Sequence, residues 1–515
     1  MKSKIISGLV VVLLWYVTAA ASCKKSEAKG YELTGIKLSV TAINLTVGES
    51  AEIKAAAIPA APNQPDFQWS SASNAIAVVT DGLVKAISVG ETVISVSSSG
   101  VTATLAVKVN PAATTGNGYT DTVFRIKLQG AGYTFANPAE YGIYIPTRTA
   151  PLQGVLVLQH GCGMEQFGIT KPYDLQYRAF ARKWNIAIIE TALYGNCGGW
   201  RSPESGTGDA LLKVLNDAGV ASNHPELKTV PWLLWGHSGG GHWVLGMVRD
   251  YPYRIMAAVC YSPAFDPQWN YPSAAAKVPI ITRHAGANDA NDDGVLCQAT
   301  SINAFNKLRS LNAPISIALN EKQNHNLSYL RYMAIPFYEA VMKQRMPVNG
   351  TTVMKDLDPA KTWLGDTLTH QLYQEATFVG DKKALCVFPD EATAINWKEY
   401  VTTGTIADKT PPPSPFNLSI LKSGTDIEIS WAADADIESG IQRFEIFKDG
   451  VLVGKLPSTG FYQTFDTNGD NTIPVEVPEM KYKITGAANT NAAISIRTIN
   501  HFNLASDKTE ILYMK

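Results

Sequence analysis

The feature that most constrains this chain is a series of apolar runs of strand length, "GVLVLQH", "IAIIE", "WLLWGHS", "IMAAVCYS", "VPIITRHAG" and "ISIALNE". Amphipathic stretches such as "AFARKW", "DALLKVLNDAG" and "YLRYMAIPFYEAVMKQ" lie between or after them. A strand that is apolar on both faces has no side to turn to water, so it belongs inside a sheet covered above and below by helices. Strands that alternate with helices are joined by crossovers, which makes the sheet mostly parallel. The pattern spans 118–346 and predicts an α/β domain there. A concave site is expected in this part of the chain, because open α/β sheets bind ligands outside the carboxyl ends of their strands.

On both sides the pattern changes. At 33–110 and 409–515 short β-forming segments are separated by Gly, Ser and Asn turns, the signature of β-sandwiches. The second begins with the stiff run Pro411, Pro412, Pro413, and its Trp431 reads as core. Between them, 347–408 carries "KTWLGD" and the helix-forming "PDEATAINWKEYVTTG" and reads as a C-terminal extension of the α/β domain that covers an edge of its sheet. The 515-residue chain is therefore multidomain, a mostly parallel sheet covered by helices and flanked by two β-sandwich domains.

The first residues, "MKSKIISGLVVVLLWYVTAAASCKKSE", combine two lysines, an apolar run and small residues, which reads as an export signal over 1–22, followed by a tether at 23–32. The apolar run is short of the ~20 residues that a spanning helix needs. Lys+Arg 44 against Asp+Glu 45 gives a net charge of −1, so neither nucleic acid nor an anionic membrane surface is an expected partner. With Cys23 set aside, Cys162, Cys197, Cys260, Cys297 and Cys386 are an odd set in an oxidising compartment, so at least one thiol stays free.

The chemistry centres on Gly236-His237-Ser238-Gly239-Gly240, a GxSxG motif. The motif alone is weak; its context is strand, sharp turn, helix, which lifts a serine Oγ to the carboxyl edge of the sheet. "WLLW" supplies the strand, and the residues from Gly239 onward supply the helix. A serine hydroxyl needs a base at neutral pH, and the base needs an acid to orient it. After Ser238 the runs "VPIITRHAG" and "ISIALNE" end at Asp289, Asp292 and Asp293 and at His325. Asp289 is the preferred acid, with Asp292, Asp293 and Asp266 as alternatives. His325 is the preferred base over His160, His224, His237, His242, His284, His370 and His501. The histidines and cysteines lack the paired spacing of zinc sites, and no dinucleotide loop is present, so neither a metal nor a cofactor is expected.

Across 119–346 these residues resemble the α/β-hydrolase esterases. The resemblance places the acid in "GAND", at Asp289. It also implies an oxyanion hole made by the N–H of Gly239 with Cys162 or Gly163 in "HGCG", and it brings Cys162 near Cys197 as a candidate disulfide. The segments "LTVGES" and "FQWSSASNAIAVVTDGLVKAISVGETVISV" resemble a group 2 bacterial Ig-like domain. The proline entry, Trp431 and "RFEIFKDGVLV" resemble a fibronectin type III domain. Ala20-Ala21-Ser22-Cys23 resembles a bacterial lipobox, with Ala20 where Leu is usual, which implies lipidation at Cys23. Ordinary cleavage after Ala21 and an uncleaved anchor remain open.

These readings together imply an exported carboxylic-ester hydrolase that works through an acyl-enzyme. It is expected as a lipoprotein of the outer membrane or cell surface of a Gram-negative bacterium, otherwise periplasmic or secreted, with the lipid anchor as its only membrane contact. The segment 264–277 leaves no room for a large cap. Trp200, Trp269 and Tyr271 are expected to rim an open site for an ester on a polymeric carbohydrate, acyl or feruloyl. A serine peptidase of the same fold and a noncatalytic surface adhesin are the alternatives.

Overall fold

The protein is described from a computed structural model over residues 32–46, 50–60, 65–87, 90–110, 122–128, 139–146, 150–165, 172, 174–265, 268–290, 297–325, 329–347, 353–460, 462 and 480–515. The expected signal segment, the lipidation residue Cys23, and Asp266, Asp292 and Asp293 lie outside these. The chain divides into two compact units, one within 32–109 and one from 110 to 515.

The first unit is all β, with a four-stranded, a three-stranded and a two-stranded sheet. Its long hairpin, Gly90–Ser98 with Val101–Asn110, buries Ile94, Val96, Leu105 and Val107 at alternate positions. This is the period-2 pattern that puts one face of a strand inward.

The larger unit is built on an eight-stranded sheet. Its strands are β1 (Thr122–Leu128), β2 (Ala139–Ile145), β3 (Gly154–Gln159), β4 (Ile186–Leu193), β5 (Trp232–His237), β6 (Ile255–Tyr261), β7 (Ile280–His284) and β8 (Ile315–Leu319). Their order is β1-β2-β4-β3-β5-β6-β7-β8. β2 runs antiparallel to β1 and β4, and the pairs from β4 through β8 are parallel. Every residue of β3 to β7 is buried, as strands covered on both faces require. The covering helices are α1 (Leu175–Trp184), α2 (Thr207–Ser222), α3 (Gly239–Asp250), α4 (Cys297–Ser310) and α5 (Arg331–Arg345). α1 is capped by the Asp174 carboxylate, which accepts from the N–H groups of Gln176 and Tyr177, and Asn185 ends it in the left-handed conformation.

The extension packs on β8. It forms a three-stranded sheet and the helix α6 (Glu391–Thr403). Ser316 Oγ donates to the Val387 carbonyl and Trp397 Nε1 to that of Ile317, so an otherwise open sheet edge gains partners.

Beyond it, a three-stranded and a four-stranded sheet enclose one core of Ile427, Ile429, Phe444, Ile446, Ile494 and Ile496, with Trp431 edge-on to Phe444. α1 serves two cores. Phe180 and Ala181 pack on the eight-stranded sheet, whereas Leu175 and Ala179 pack into the C-terminal core. Gln176 Nε2 donates to the Ile437 carbonyl at 2.9 Å.

Candidate active site

β5 ends at His237 and α3 starts at Gly239, so Ser238 alone turns the chain. Its backbone sits at φ 54, ψ −116, a conformation that L-residues rarely adopt and that persists only where surroundings hold it. Three backbone hydrogen bonds do so: Ser238 N–H to Tyr261 O at 2.8 Å, Ala264 N–H to Ser238 O at 3.1 Å, and His242 N–H to Ser238 O at 3.1 Å. The tight turn requires glycine at Gly240, where a Cβ would lie 2.5 Å from the His160 carbonyl oxygen.

The upstream loop lies against the serine. A Cβ on Gly161 would be 3.4 Å from Ser238 Cβ and 3.1 Å from His237 Nδ1. Gly163 has φ +74 and faces open space. His160 Nδ1–H donates to Gly161 O, and its Nε2 accepts from Leu193 N–H at 2.8 Å, tying the loop after β3 to the end of β4. Cys162 and Cys197 are joined by a disulfide that ties the same two loops, with Cα atoms 5.3 Å apart. Their sulfurs lie over Gly239, where a Cβ would overlap Cys162 Sγ and come within 2.7 Å of Cys197 Sγ. The remaining described cysteines, Cys260, Cys297 and Cys386, are free and buried.

Asp289 follows the single turn Gly286–Asn288 after β7, and His325 follows β8. The structure brings them together, with His325 Nδ1–H donating to Asp289 Oδ1 at 2.8 Å. His237 then links this pair to the serine turn, because its Nε2–H donates to the His325 carbonyl at 2.9 Å while its ring stacks on Tyr261. Burial pushes His237 well below its usual pKa, so it acts as a neutral donor.

The far oxygen of Asp289 is also held. Ser262 Oγ–H and the Ala285 N–H each donate to Oδ2 at 2.8 Å. Arg283 Nη1 lies 3.6 Å from Oδ2, and both residues are fully buried. Burial pushes the Asp289 carboxyl up, but the His325 hydrogen bond, the Arg283 charge and the Ala285 N–H outweigh it and hold the carboxyl below its ordinary value. Arg283 is itself held by every nitrogen of its fork. Nη1 donates to Ser262 Oγ and to the Asn324 carbonyl, Nη2 to Gln323 Oε1 and Nε to Tyr400 Oη. Tyr400 belongs to α6, so the extension reaches the loop that leads to His325. Gln323 Nε2 and Asn320 Nδ2 also donate to the Gly404 carbonyl just past α6.

Sequence reasoning missed Ser262, Arg283, His237, Cys297 and Tyr400. Arg283 had a visible signal, a lone charge inside an apolar strand, which must find buried partners. Cys297 Sγ lies 3.5 Å from His325 Nδ1, and Asp289, Cys297 and His325 bring ligand-type atoms within 4.8 Å of one another. The Nδ1–Asp289 hydrogen bond already uses that edge of the ring, and burial pushes the Cys297 thiol up and keeps it protonated, so the cluster is a hydrogen-bonded network.

One expected rim residue is corrected. Trp200 is 0% exposed, its ring 4.8 Å from that of His160 and its edge against Gly239, so it backs the disulfide and does not line an open site. Its position beside the bridged loop, which packs under the serine turn, leaves it no solvent-facing side. Trp269 is half-buried, 4.7 Å from the His242 ring, and Tyr271 is half-buried against the core.

Residues 176–289 match the family model of serine aminopeptidase S33 hydrolases. With the strand order above, this part of the chain has the α/β-hydrolase fold and is a hydrolase. Comparison with curated proteins found no match. Among solved structures, the chain is similar to a poly(aspartic acid) hydrolase from Sphingomonas sp. KT-1, at 16% identity over 40% of this chain and 94% of that one, TM-score 0.30. It is similar to an S-formylglutathione hydrolase from Staphylococcus aureus, at 14% identity over 44% and 97%, TM-score 0.31. A ferulic acid esterase is similar at 12% identity over 44% and 97%, TM-score 0.31.

Proposed function

We propose that the protein is a carboxylic-ester hydrolase in which Ser238 is the nucleophile, His325 the general base and Asp289 the residue that fixes the base. The observation that carries this reading is the Asp289–His325 hydrogen bond, tied through His237 to a serine held in a strained strand-to-helix turn. The serine Oγ gives its proton to His325 Nε2 and attacks the carbonyl carbon. The same proton passes to the departing alcohol, and water, deprotonated in turn, releases the acid. The oxyanion is received by the Gly239 N–H and by a second N–H from the loop at Cys162 and Gly163, which packs against the serine.

We also propose that the enzyme is exported and anchored through Cys23, with Ig-like and fibronectin type III-like modules holding it away from the membrane and with esters of polysaccharide as its substrates. A second reading, a serine peptidase, is favoured by the description of the matching family model. Ser238→Ala should lower the turnover of short nitrophenyl esters by about 10⁴-fold or more. If turnover survives the substitution, the proposed nucleophile is wrong; absence of turnover by the wild-type protein would return the noncatalytic reading. Faster cleavage of peptide anilides than of esters by the wild-type protein would select the peptidase reading.

A further inference from the structure

Two arginines lie on the elements that follow and flank the serine turn, Arg249 in the last turn of α3 and Arg201 in the disulfide-bridged loop, and they differ in one respect. Arg249 on α3 is matched by carboxylates, donating to Glu204 at 2.6 Å and to Asp250 at 2.5 and 2.7 Å, with its guanidinium 4.2 Å over the Trp269 ring. Arg201 has no such match. Among the described residues no carboxylate pairs with it, and its guanidinium carbon lies 3.6 Å from the centre of the Phe265 ring. Burial lowers its pKa.

Its place in the fold is set from two sides. The Arg201 N–H donates to the Cys197 carbonyl at 3.0 Å, which fixes it to the disulfide-bridged loop, and it follows Trp200, whose ring edge lies against Gly239. Phe265 is next to Ala264, whose N–H binds the carbonyl of Ser238 itself, and the Phe265 carbonyl accepts from His242 Nδ1–H at 2.8 Å. Phe265 sits at φ 67, a left-handed conformation that is costly for a bulky residue. His242 cannot balance the arginine, since it is neutral or cationic and burial lowers its pKa.

A half-buried guanidinium with no anion among the described residues loses hydration and gains little in return. Phe265 covers one face of the plane and leaves the edge N–H groups, whose fork geometry fits a carboxylate bidentately. We propose that Arg201 is the anchor for a carboxylate on the substrate, so that the site takes acidic esters with the negative charge on either the acyl or the alcohol side. This rests on the ester-hydrolase reading above.

The test measures binding with the Ser238→Ala protein, so that it does not depend on turnover. Two pairs of near-isosteric esters are titrated by calorimetry: 4-nitrophenyl hemiadipate against 4-nitrophenyl hexanoate for the acyl side, and 4-acetoxybenzoate against 4-acetoxybenzamide for the alcohol side. In at least one pair the charged member should bind about tenfold tighter or more, the range of a charge-assisted hydrogen bond, and the pair that shows it identifies the side. Adding Arg201→Met should remove that margin, and Arg201→Gln should do the same if the methionine variant melts appreciably lower. Equal binding of charged and uncharged members in both pairs overturns the proposal, as does a margin that survives both substitutions. Failure of the ester-hydrolase reading is seen separately, as absence of turnover of all four esters by the wild-type protein.

Discussion

Arg283→Met is the perturbation that most directly tests how the acid is held. The methionine side chain is apolar and ends near the position of Arg283 Nε, so it keeps the packing of the stem and removes the charge and every donor at once. The guanidinium lies 3.6 Å from Asp289 Oδ2 with both groups at 0% exposure. At an effective dielectric near 20, a pair at that distance interacts by about 4–5 kcal/mol. Its loss raises the proton affinity of Asp289. The wild-type carboxyl is held below its ordinary value, so its contribution to stability is complete above the ordinary carboxylate range and is lost as pH falls through the lowered folded value. In the variant the folded value rises, and the loss begins at higher pH.

Two measurements follow. The acid limb of kcat/KM for a short nitrophenyl ester should move upward by at least about one unit, since a protonated Asp289 no longer fixes the histidine. Stability at pH 7 should fall by about 3–5 kcal/mol, as breaking a buried pair leaves a charge unmatched and removes the donor from four acceptors. Arg283→Lys separates the two effects: the charge remains, so the limb should stay near wild type, while the lost fork still lowers stability. A methionine variant that is folded, with both the acid limb and the melting temperature of wild type, would refute the reasoning.

Gly239→Ala places a methyl group against both sulfurs of the Cys162–Cys197 bridge. It should lower kcat by on the order of 10²-fold by displacing the oxyanion donor while leaving the far-ultraviolet circular dichroism unchanged; unaltered kcat would show that the bridge does not back this donor. In the C-terminal β region, burial pushes the Asp436 carboxyl up to about 8, helped by Glu438 and by Asp408, which shares Asn500 Nδ2 with it. A raised carboxyl binds its proton more tightly folded than unfolded, so stability should fall as pH rises from about 4 to 8, by up to about 1.4 kcal/mol per pH unit. Asp436→Asn should flatten that slope in denaturant melts.

How much of this could be read beforehand depended on the range over which each residue's constraint acts. The buried strands were legible because burial on both faces leaves a continuous apolar run, and each of β3 to β8 carries one. The contact of Asp289 with His325 was legible because a parallel sheet gathers the ends of its strands at one edge, whatever the distance along the chain. The Cys162–Cys197 pairing was legible for the same reason, as both follow adjacent strands. Trp200 was misplaced because sequence shows that a tryptophan sits near a site but not which side of a loop it faces.

The ring around Asp289 was hidden for a different cause. Ser262, Arg283, Gln323 and Tyr400 come from four separate elements, and no local pattern requires a serine after β6 or a tyrosine on α6. What sequence does contain is the imbalance that demands them: Arg283 in the middle of "VPIITRHAG" must be satisfied internally, and only residues brought from elsewhere can do it. That demand accounts for the extension at 353–408. It closes the edge of β8, and through Tyr400 and the carbonyl of Gly404 it also fixes the loop that carries His325. An α/β domain cut at residue 346 would leave Arg283 Nε without Tyr400, and Gln323 Nε2 and Asn320 Nδ2 without the Gly404 carbonyl, so the sheet pattern alone does not mark all that holds this loop.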